Sequence, residues 1–157
     1  MGEVRAGETP KEIAVDAKGC VARVSDARTG KLYAEAPAHV GSRLFFGWIH
    51  SLEKIPWNEY YHVDEQRNLV LDTITFPAFG AGIPADKGRV CRVRDGLIHM
   101  EEIEQIFPEL VWLNSQTATR DIVLDGKLLV RGADMPHHAR VRLIVLPDVD
   151  QAKEGTK

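Results

Sequence analysis

Several features that define other protein classes are missing from this 157-residue sequence. No stretch approaches the ~20 consecutive apolar residues that span a bilayer, so we expect no transmembrane segment in this chain. Residues 1–18 are polar and have no hydrophobic core of the signal-peptide kind. The chain is therefore expected either to be cytoplasmic or to have lost a targeting or anchoring segment.

Basic charge is also scarce. The formal net charge is −3, and the basic residues are dispersed apart from a short run of Arg89, Arg92 and Arg94. A surface that binds a nucleic-acid duplex normally needs a basic face. Nucleic acid is therefore not an expected partner.

The chain has only two cysteines, Cys20 and Cys91, and they lack CxxC spacing. We expect two buried free thiols, and a single bridge is the alternative in an oxidising compartment. The adjacent His137 and His138 lack a third spaced ligand, and no HExxH, GxSxG or paired CxxC motif is present. The sequence therefore predicts no metal site, no cofactor and no complete catalytic set. Asp125 is interpreted as a solvated turn charge.

What the sequence does contain is a series of short segments in which apolar and polar residues alternate, separated by turn residues. Such alternation is typical of strands with one buried face. The Asp125-Gly126 dipeptide between two such segments predicts a tight hairpin. The predicted strands cover residues 20–25, 32–36, 43–51, 57–64, 69–76, 89–93, 96–101, 109–113, 119–124, 127–131 and 139–146.

Only residues 101–107 have a pattern that favours a helical turn, which Pro108 would end. We therefore predict a mainly β protein, an antiparallel sandwich or barrel of short strands with at most one short helix. Residues 19–147 are expected to form a single domain. Residues 1–18 and 148–157 are expected to be flexible ends.

The first candidate site combines His50 and Glu59. Glu59 shares a strand face with Trp57 and Tyr61, and His50 ends the apolar face of the preceding strand. If the two strands form a hairpin, the two side chains are cross-strand neighbours, and the pairing would satisfy the carboxylate and raise the pKa of His50. Three interpretations stay open: a structural pair, a pair that contacts a ligand or metal, and a catalytic pair with Ser51 as the nearby nucleophile.

The second candidate site is the loop that contains Gly80, Ala81 and Gly82 between two prolines. Both glycines can adopt positive φ at little cost, so successive N–H groups can point inward and bind an anion. The loop lacks the residues of a P-loop and of a dinucleotide fingerprint. A structural corner and an anion or carboxylate site both remain open. We expect the loop to approach His50 and Glu59.

The segments 49–59 and 79–84 resemble a small bacterial domain-of-unknown-function family (number 1850). Its members carry a His-Ser…Pro-x-x-Glu element followed by a Gly-Ala-Gly-hydrophobic-Pro element, and the resemblance spans roughly residues 30–146. The matching positions here are His50, Ser51, Pro56, Glu59, Gly80, Ala81, Gly82 and Pro84.

Members of that family are typically encoded beside, or fused to, the permease of TRAP transporters of the TAXI type. The resemblance therefore implies an extracytoplasmic domain whose partner is a transporter permease or solute-binding component. Many relatives begin with a hydrophobic membrane anchor, which this chain lacks.

Three hypotheses follow. The first is a non-catalytic accessory domain that binds a small solute, such as a small carboxylate, or a transporter component through His50, Ser51, Glu59 and residues 80–82. The second is a hydrolase-like enzyme that uses His50 with Ser51 or Glu59. The third is a purely structural interaction domain.

Overall fold

The computed structural model describes residues 19–49, 54–77 and 90–148. These residues form two antiparallel sheets, so the predicted mainly β fold is confirmed. Within the described residues the strands are β1 Cys20–Asp26, β2 Leu32–Ala38, β3 Arg43–Ile49, β4 Pro56–Val63, β5 Leu69–Pro77, β6 Val90–Arg94, β7 Leu97–Glu101, β8 Gln105–Phe107, β9 Leu110–Leu113, β10 Thr119–Leu124, β11 Lys127–Arg131 and β12 Arg140–Pro147.

The smaller sheet has four strands in the order β2-β1-β12-β9. The first described strand pairs along its whole length with the last, from Cys20 opposite Pro147 to Asp26 opposite Val141. The larger sheet has the order β11-β10-β3-β4-β5-β7-β6, with β8 paired to β5. Because β3, β4 and β5 lie at its centre, their side chains form the floor on which the smaller sheet packs.

Local sequence explains the two clearest hairpins. Asp125 and Gly126 have φ values of 49° and 81°, which the two central positions of a type I′ turn require. The predicted hairpin between β10 and β11 is therefore confirmed. Between β1 and β2, Asp26 Oδ1 accepts hydrogen bonds from the backbone N–H groups of Thr29 and Arg28, which lower the pKa of Asp26.

A single apolar core lies between the sheets. Val24 and Leu143 contribute to it from the smaller sheet, and Leu44 and Ile122 contribute from the larger one. All four are almost fully buried. This continuous core identifies the architecture as a sandwich.

The prediction of a helical turn at residues 101–107 is wrong. Glu102 and Glu104 have positive φ, which no right-handed helix allows, and β8 pairs instead with Leu69–Leu71 of β5. The one helical element among the described residues is a 3₁₀ turn at Gly132–Asp134. No described helix has the length and apolar character needed to cross a membrane.

The two cysteines behave differently. Cys20 is buried on the inner face of β1, as predicted. Cys91 is exposed on β6, so the expectation that both thiols are buried is wrong. The two residues belong to different sheets, and no disulfide joins them.

Candidate functional site

A cavity of about 740 Å³ lies between β9 of the smaller sheet and the inner face of β3, β4 and β5. Aromatic and aliphatic side chains form most of its wall, and a few polar groups interrupt it. Its lining residues are Phe46, Trp48, Ile49, Trp57, Glu59, Tyr61, Leu71, Ile74, Gln105, Phe107, Glu109, Leu110, Val111, Trp112, Leu113, Ser115, Ala118 and Thr119.

The register between β3 and β4 sets the floor of this cavity. Trp48 lies opposite Trp57 and Phe46 lies opposite Glu59. Because side chains two residues apart share a face, these four residues and Tyr61 project to the same side of the sheet. The alternation predicted from the sequence thus places one carboxylate in an aromatic surface.

Ring contacts fix the tryptophans of the floor. The Trp57 ring stacks on Phe76 with a centroid distance of 4.7 Å and an interplanar angle of 7°, and it lies 5.6 Å from the Trp48 ring. Across the cavity, the Trp112 ring meets Phe46 edge to face at 4.8 Å. The contact between Trp112 and Phe46 therefore joins the two sheets, whereas the other two contacts lie within the larger sheet.

Glu59 is the polar centre of the floor. Its Oε2 accepts a hydrogen bond from Trp48 Nε1 at 3.1 Å, and its Oε1 accepts one from the Tyr61 hydroxyl at 2.7 Å. The sequence predicted that this carboxylate would need hydrogen-bond donors. Within the described residues Trp48 and Tyr61 supply them, whereas the expected partner His50 lies outside the described residues.

Tyr61 is held in its protonated form. Burial of the phenol, and then the neighbouring Glu59 carboxylate, raise the pKa of Tyr61 well above its ordinary value. The hydroxyl therefore remains a hydrogen-bond donor to Glu59 throughout the physiological pH range.

Among the lining residues that the structure describes, the other charged side chain is Glu109, and an arginine pairs with it. Its Oε1 accepts a hydrogen bond from Arg142 Nε, from the neighbouring strand β12. No Lys, Arg or His among the described residues lines the cavity. The Glu59 carboxylate therefore contacts neutral donors, with no cationic side chain beside it in the parts of the chain described.

The other predicted site residues lie in two segments whose neighbouring strand ends the structure describes. His50, Ser51 and the loop residues Gly80, Ala81 and Gly82 lie outside the described residues, so their proximity to Glu59 stays a prediction. The strand ends that lead to them can be placed. Ile49 pairs with Pro56, and β5 ends at Pro77 beside the same end of β4, so both connections leave from one end of the larger sheet.

Sequence reasoning missed the wall contributed by Phe107 and Trp112. Phe107 lies on β8, in the segment where a helical turn is expected from the sequence. The centroid of its ring lies 6.1 Å from that of Tyr61. Trp112 lies on a predicted strand, but no local pattern relates it to Glu59. Its buried indole N–H has no acceptor among the described residues.

The structure also describes the surroundings of Asp125 and of the His137-His138 pair. Asp125 is an exposed turn residue, as predicted, and its carboxylate also accepts hydrogen bonds from the Ser42 hydroxyl and the Arg43 backbone N–H. His137 and His138 lie in a turn with their rings 3.8 Å apart. No cluster of three or more His, Cys, Asp or Glu that could hold a metal occurs within residues 19–49, 54–77 and 90–148.

Comparison with known proteins relates the chain to a protein family. A family model described as Domain of unknown function (DUF1850) matches residues 45–129, which is more than half of the chain and runs from within β3 to beyond β10, with most of the cavity wall. No curated protein matches, and no solved structure matches.

Proposed function

The chain belongs to the domain-of-unknown-function family DUF1850, and from its geometry we propose that this domain is a non-catalytic module that binds a small solute between its two sheets. The single observation that supports this is the cavity of about 740 Å³ above Glu59. Small-molecule sites usually have volumes of ~300–1,000 Å³, mostly apolar walls and a few placed polar groups. This cavity has each of these properties.

The arrangement around Glu59 favours binding over catalysis. The described partners of its carboxylate are an indole N–H and a phenol O–H, and Tyr61 does not titrate near neutral pH. A general base needs an acceptor oxygen directed at the proton that it removes from the substrate, and both oxygens of Glu59 already accept hydrogen bonds from these donors. The geometry instead holds the carboxylate in one position, which suits recognition of a ligand.

Intrinsic fluorescence provides a direct test. The chain has three tryptophans, and Trp48, Trp57 and Trp112 all line the cavity. A solute that enters the cavity is expected to change the tryptophan emission and to protect it from acrylamide quenching. Binding to the folded state must also raise the unfolding temperature. The ligand panel should contain small carboxylates, amines, amino acids and neutral metabolites.

A matched pair of variants localises the binding. Ala118 lines the cavity, whereas Ala27 is exposed in the turn between β1 and β2. Ala118→Phe is expected to abolish the fluorescence response, and Ala27→Phe is expected to preserve it. Ligands that bind Ala118→Phe as well as the parent chain would refute the cavity as the site, and so would a full panel that produces no response.

We further propose that the predicted residues His50, Ser51, Gly80, Ala81 and Gly82 extend this site. Support comes from the strand ends described above, which lead into both segments from the end of the sheet where Trp57 and Phe76 lie. Ser51→Ala and Gly80→Ala should weaken the binding of whichever solute the panel identifies. Unchanged affinity in both variants would limit the site to the described cavity.

The wider role that we propose is that of an extracytoplasmic accessory domain of a TRAP-type transporter. The sequence motifs at residues 50–59 and 80–84 support it, through the resemblance described above. The test is co-purification of the tagged chain with the permease or solute-binding component from bacterial membranes, together with protease accessibility in spheroplasts. A chain that is protected from protease until the cells are lysed, and that is recovered without transporter components, would contradict this role.

A further inference from the structure

We propose that the solute recognised in this cavity is an organic cation, an alkylated or quaternary ammonium group held between the Glu59 carboxylate and the surrounding aromatic rings. This inference rests on the proposed function, because it names the chemical class of the ligand for the same site. It follows from three observations on charge, aromatic content and the form of the carboxylate.

The first observation is an imbalance of charge. Glu59 and Glu109 are the charged side chains among the described residues that line the cavity, and Arg142 neutralises Glu109. Glu59 is half-buried, and its two described hydrogen bonds come from neutral donors. A carboxylate in a partly desolvated site is stabilised by a cation at short distance, and a cationic ligand would supply it.

The second observation is the concentration of aromatic rings around that charge. The chain has three Trp, three Tyr and five Phe, and six of these eleven residues line the cavity: Phe46, Trp48, Trp57, Tyr61, Phe107 and Trp112. Aromatic faces attract cations through the ring quadrupole, and Trp does so most strongly. An aromatic wall beside a carboxylate is a recurring arrangement for quaternary and alkylated ammonium groups, since the rings also accommodate their methyl groups.

The third observation distinguishes an organic cation from a metal ion and from an anion. The described residues contain no cluster of three or more candidate metal ligands, and both Oε atoms of Glu59 already accept hydrogen bonds. A metal ion would need several further oxygen or nitrogen ligands at the floor, where the neighbours are rings. A carboxylate ligand above the same floor would be repelled by Glu59. A diffuse, weakly hydrated ammonium group fits both the charge and the rings.

The experiment compares probes of matched shape. Choline, its neutral carbon isostere 3,3-dimethyl-1-butanol and the carboxylate 3,3-dimethylbutyrate are titrated against the full chain, with calorimetry and tryptophan fluorescence as readouts. We expect choline to bind about tenfold or more tightly than the neutral isostere, and the carboxylate to bind most weakly. This comparison within the unaltered protein requires no substitution.

Variants then assign the preference to Glu59. Glu59→Gln keeps the size of the side chain, so it should weaken choline binding about tenfold and leave binding of the neutral isostere within about threefold. Glu65→Gln is the control, since Glu65 lies in the exposed turn between β4 and β5. It should leave the affinity for choline unchanged. Circular dichroism checks that each variant is folded.

The outcomes separate this inference from the proposed function. Equal or tighter binding of the neutral isostere, or tighter binding of the carboxylate, would overturn the cationic ligand but leave a solute-binding cavity. Absence of choline binding up to millimolar concentrations would likewise overturn it, even if other members of the solute panel bind. Failure of the whole panel together with all three probes would reject the proposed function itself.

Discussion

Replacing Tyr61 by Phe tests whether the floor of the cavity is held together as described. The substitution removes one hydroxyl and keeps the ring, which packs against Phe107. It therefore deletes the 2.7 Å hydrogen bond to Glu59 Oε1 and leaves this oxygen without its described donor. Because the Glu59 carboxylate is half-buried, the loss of this donor should lower the free energy of unfolding.

The size of the effect follows from the type of bond. Hydrogen bonds to charged groups contribute about 1.5–3 kcal/mol, and a value near or somewhat below the lower end of this range applies here because Glu59 is partly open to water. We expect Tyr61→Phe to lower the free energy of unfolding by about 1–2 kcal/mol. For a chain of this length, that corresponds to a decrease in Tm of about 2–8 °C. Urea denaturation and calorimetry measure the two quantities.

Tyr60 provides a matched control. It is the preceding residue on β4, it faces the opposite side of the sheet with 39% of its surface exposed, and its ring contacts Phe45 at 5.3 Å. Tyr60→Phe makes the same chemical change without removing a described hydrogen bond, so its effect should stay within ~0.5 kcal/mol. Equal effects of the two substitutions would mean that the hydroxyl of Tyr61 does not stabilise the floor.

A double-mutant cycle adds a stricter criterion. In Glu59→Gln the carbonyl oxygen can accept from Trp48 while the amide donates to the Tyr61 hydroxyl, so a neutral hydrogen bond replaces the charged one. Tyr61→Phe should then cost about half as much in this background as in the parent chain, because charge-assisted bonds are roughly twice as strong as neutral ones. Fully additive effects would refute the direct interaction between the two side chains.

Three further predictions concern stability. Gly132→Ala should destabilise the fold by more than ~3 kcal/mol or prevent folding, because the added Cβ would lie 2.2 Å from the Thr119 carbonyl oxygen. Urea denaturation measures this effect, and a cost below ~1 kcal/mol would contradict the close packing. Asp125→Ala should cost about 2–3 kcal/mol, because the buried Ser42 O–H loses its acceptor and because alanine must adopt the positive φ of this turn position, whereas Asp125→Asn should cost less. The pKa of Tyr61 is higher in the folded protein than its ordinary value of 10.0, so the stability that the Tyr61 hydroxyl contributes is complete below pH 10.0 and is lost as the pH rises further. The difference in the free energy of unfolding between the parent chain and Tyr61→Phe should therefore stay constant below pH 10.0 and shrink above it.

The strands could be predicted from the sequence because their signal is local. Alternation around Cys20 and the Asp125-Gly126 turn each occupy a few consecutive residues, and the structure confirms both. The failure at residues 101–107 has the opposite cause. Gln105–Phe107 is a strand because it pairs with Leu69–Leu71, more than thirty residues earlier in the chain, and no pattern within the segment encodes that partner.

The candidate site shows the same division between local and distant information. The position of Glu59 on an apolar face, beside Tyr61, follows from alternation on one strand. The role of Asp125 does not, because its partner Ser42 is 83 positions away in the sequence. The Trp112 wall depends on how the two sheets pack, which short-range periodicity does not specify.

The position of Glu59 is difficult to explain by stability alone. It lies opposite Phe46 and between Trp57 and Tyr61 on the inner face of the strand, where an apolar side chain would fill the space without desolvating a charge. Replacing both partners of a buried hydrogen bond by apolar groups of the same shape can be nearly neutral or stabilising, so the hydrogen bonds to Trp48 and Tyr61 do not by themselves require a carboxylate. A charge kept on an apolar floor and held in place by neutral donors is typical of a recognition site, whose ligand completes the interaction.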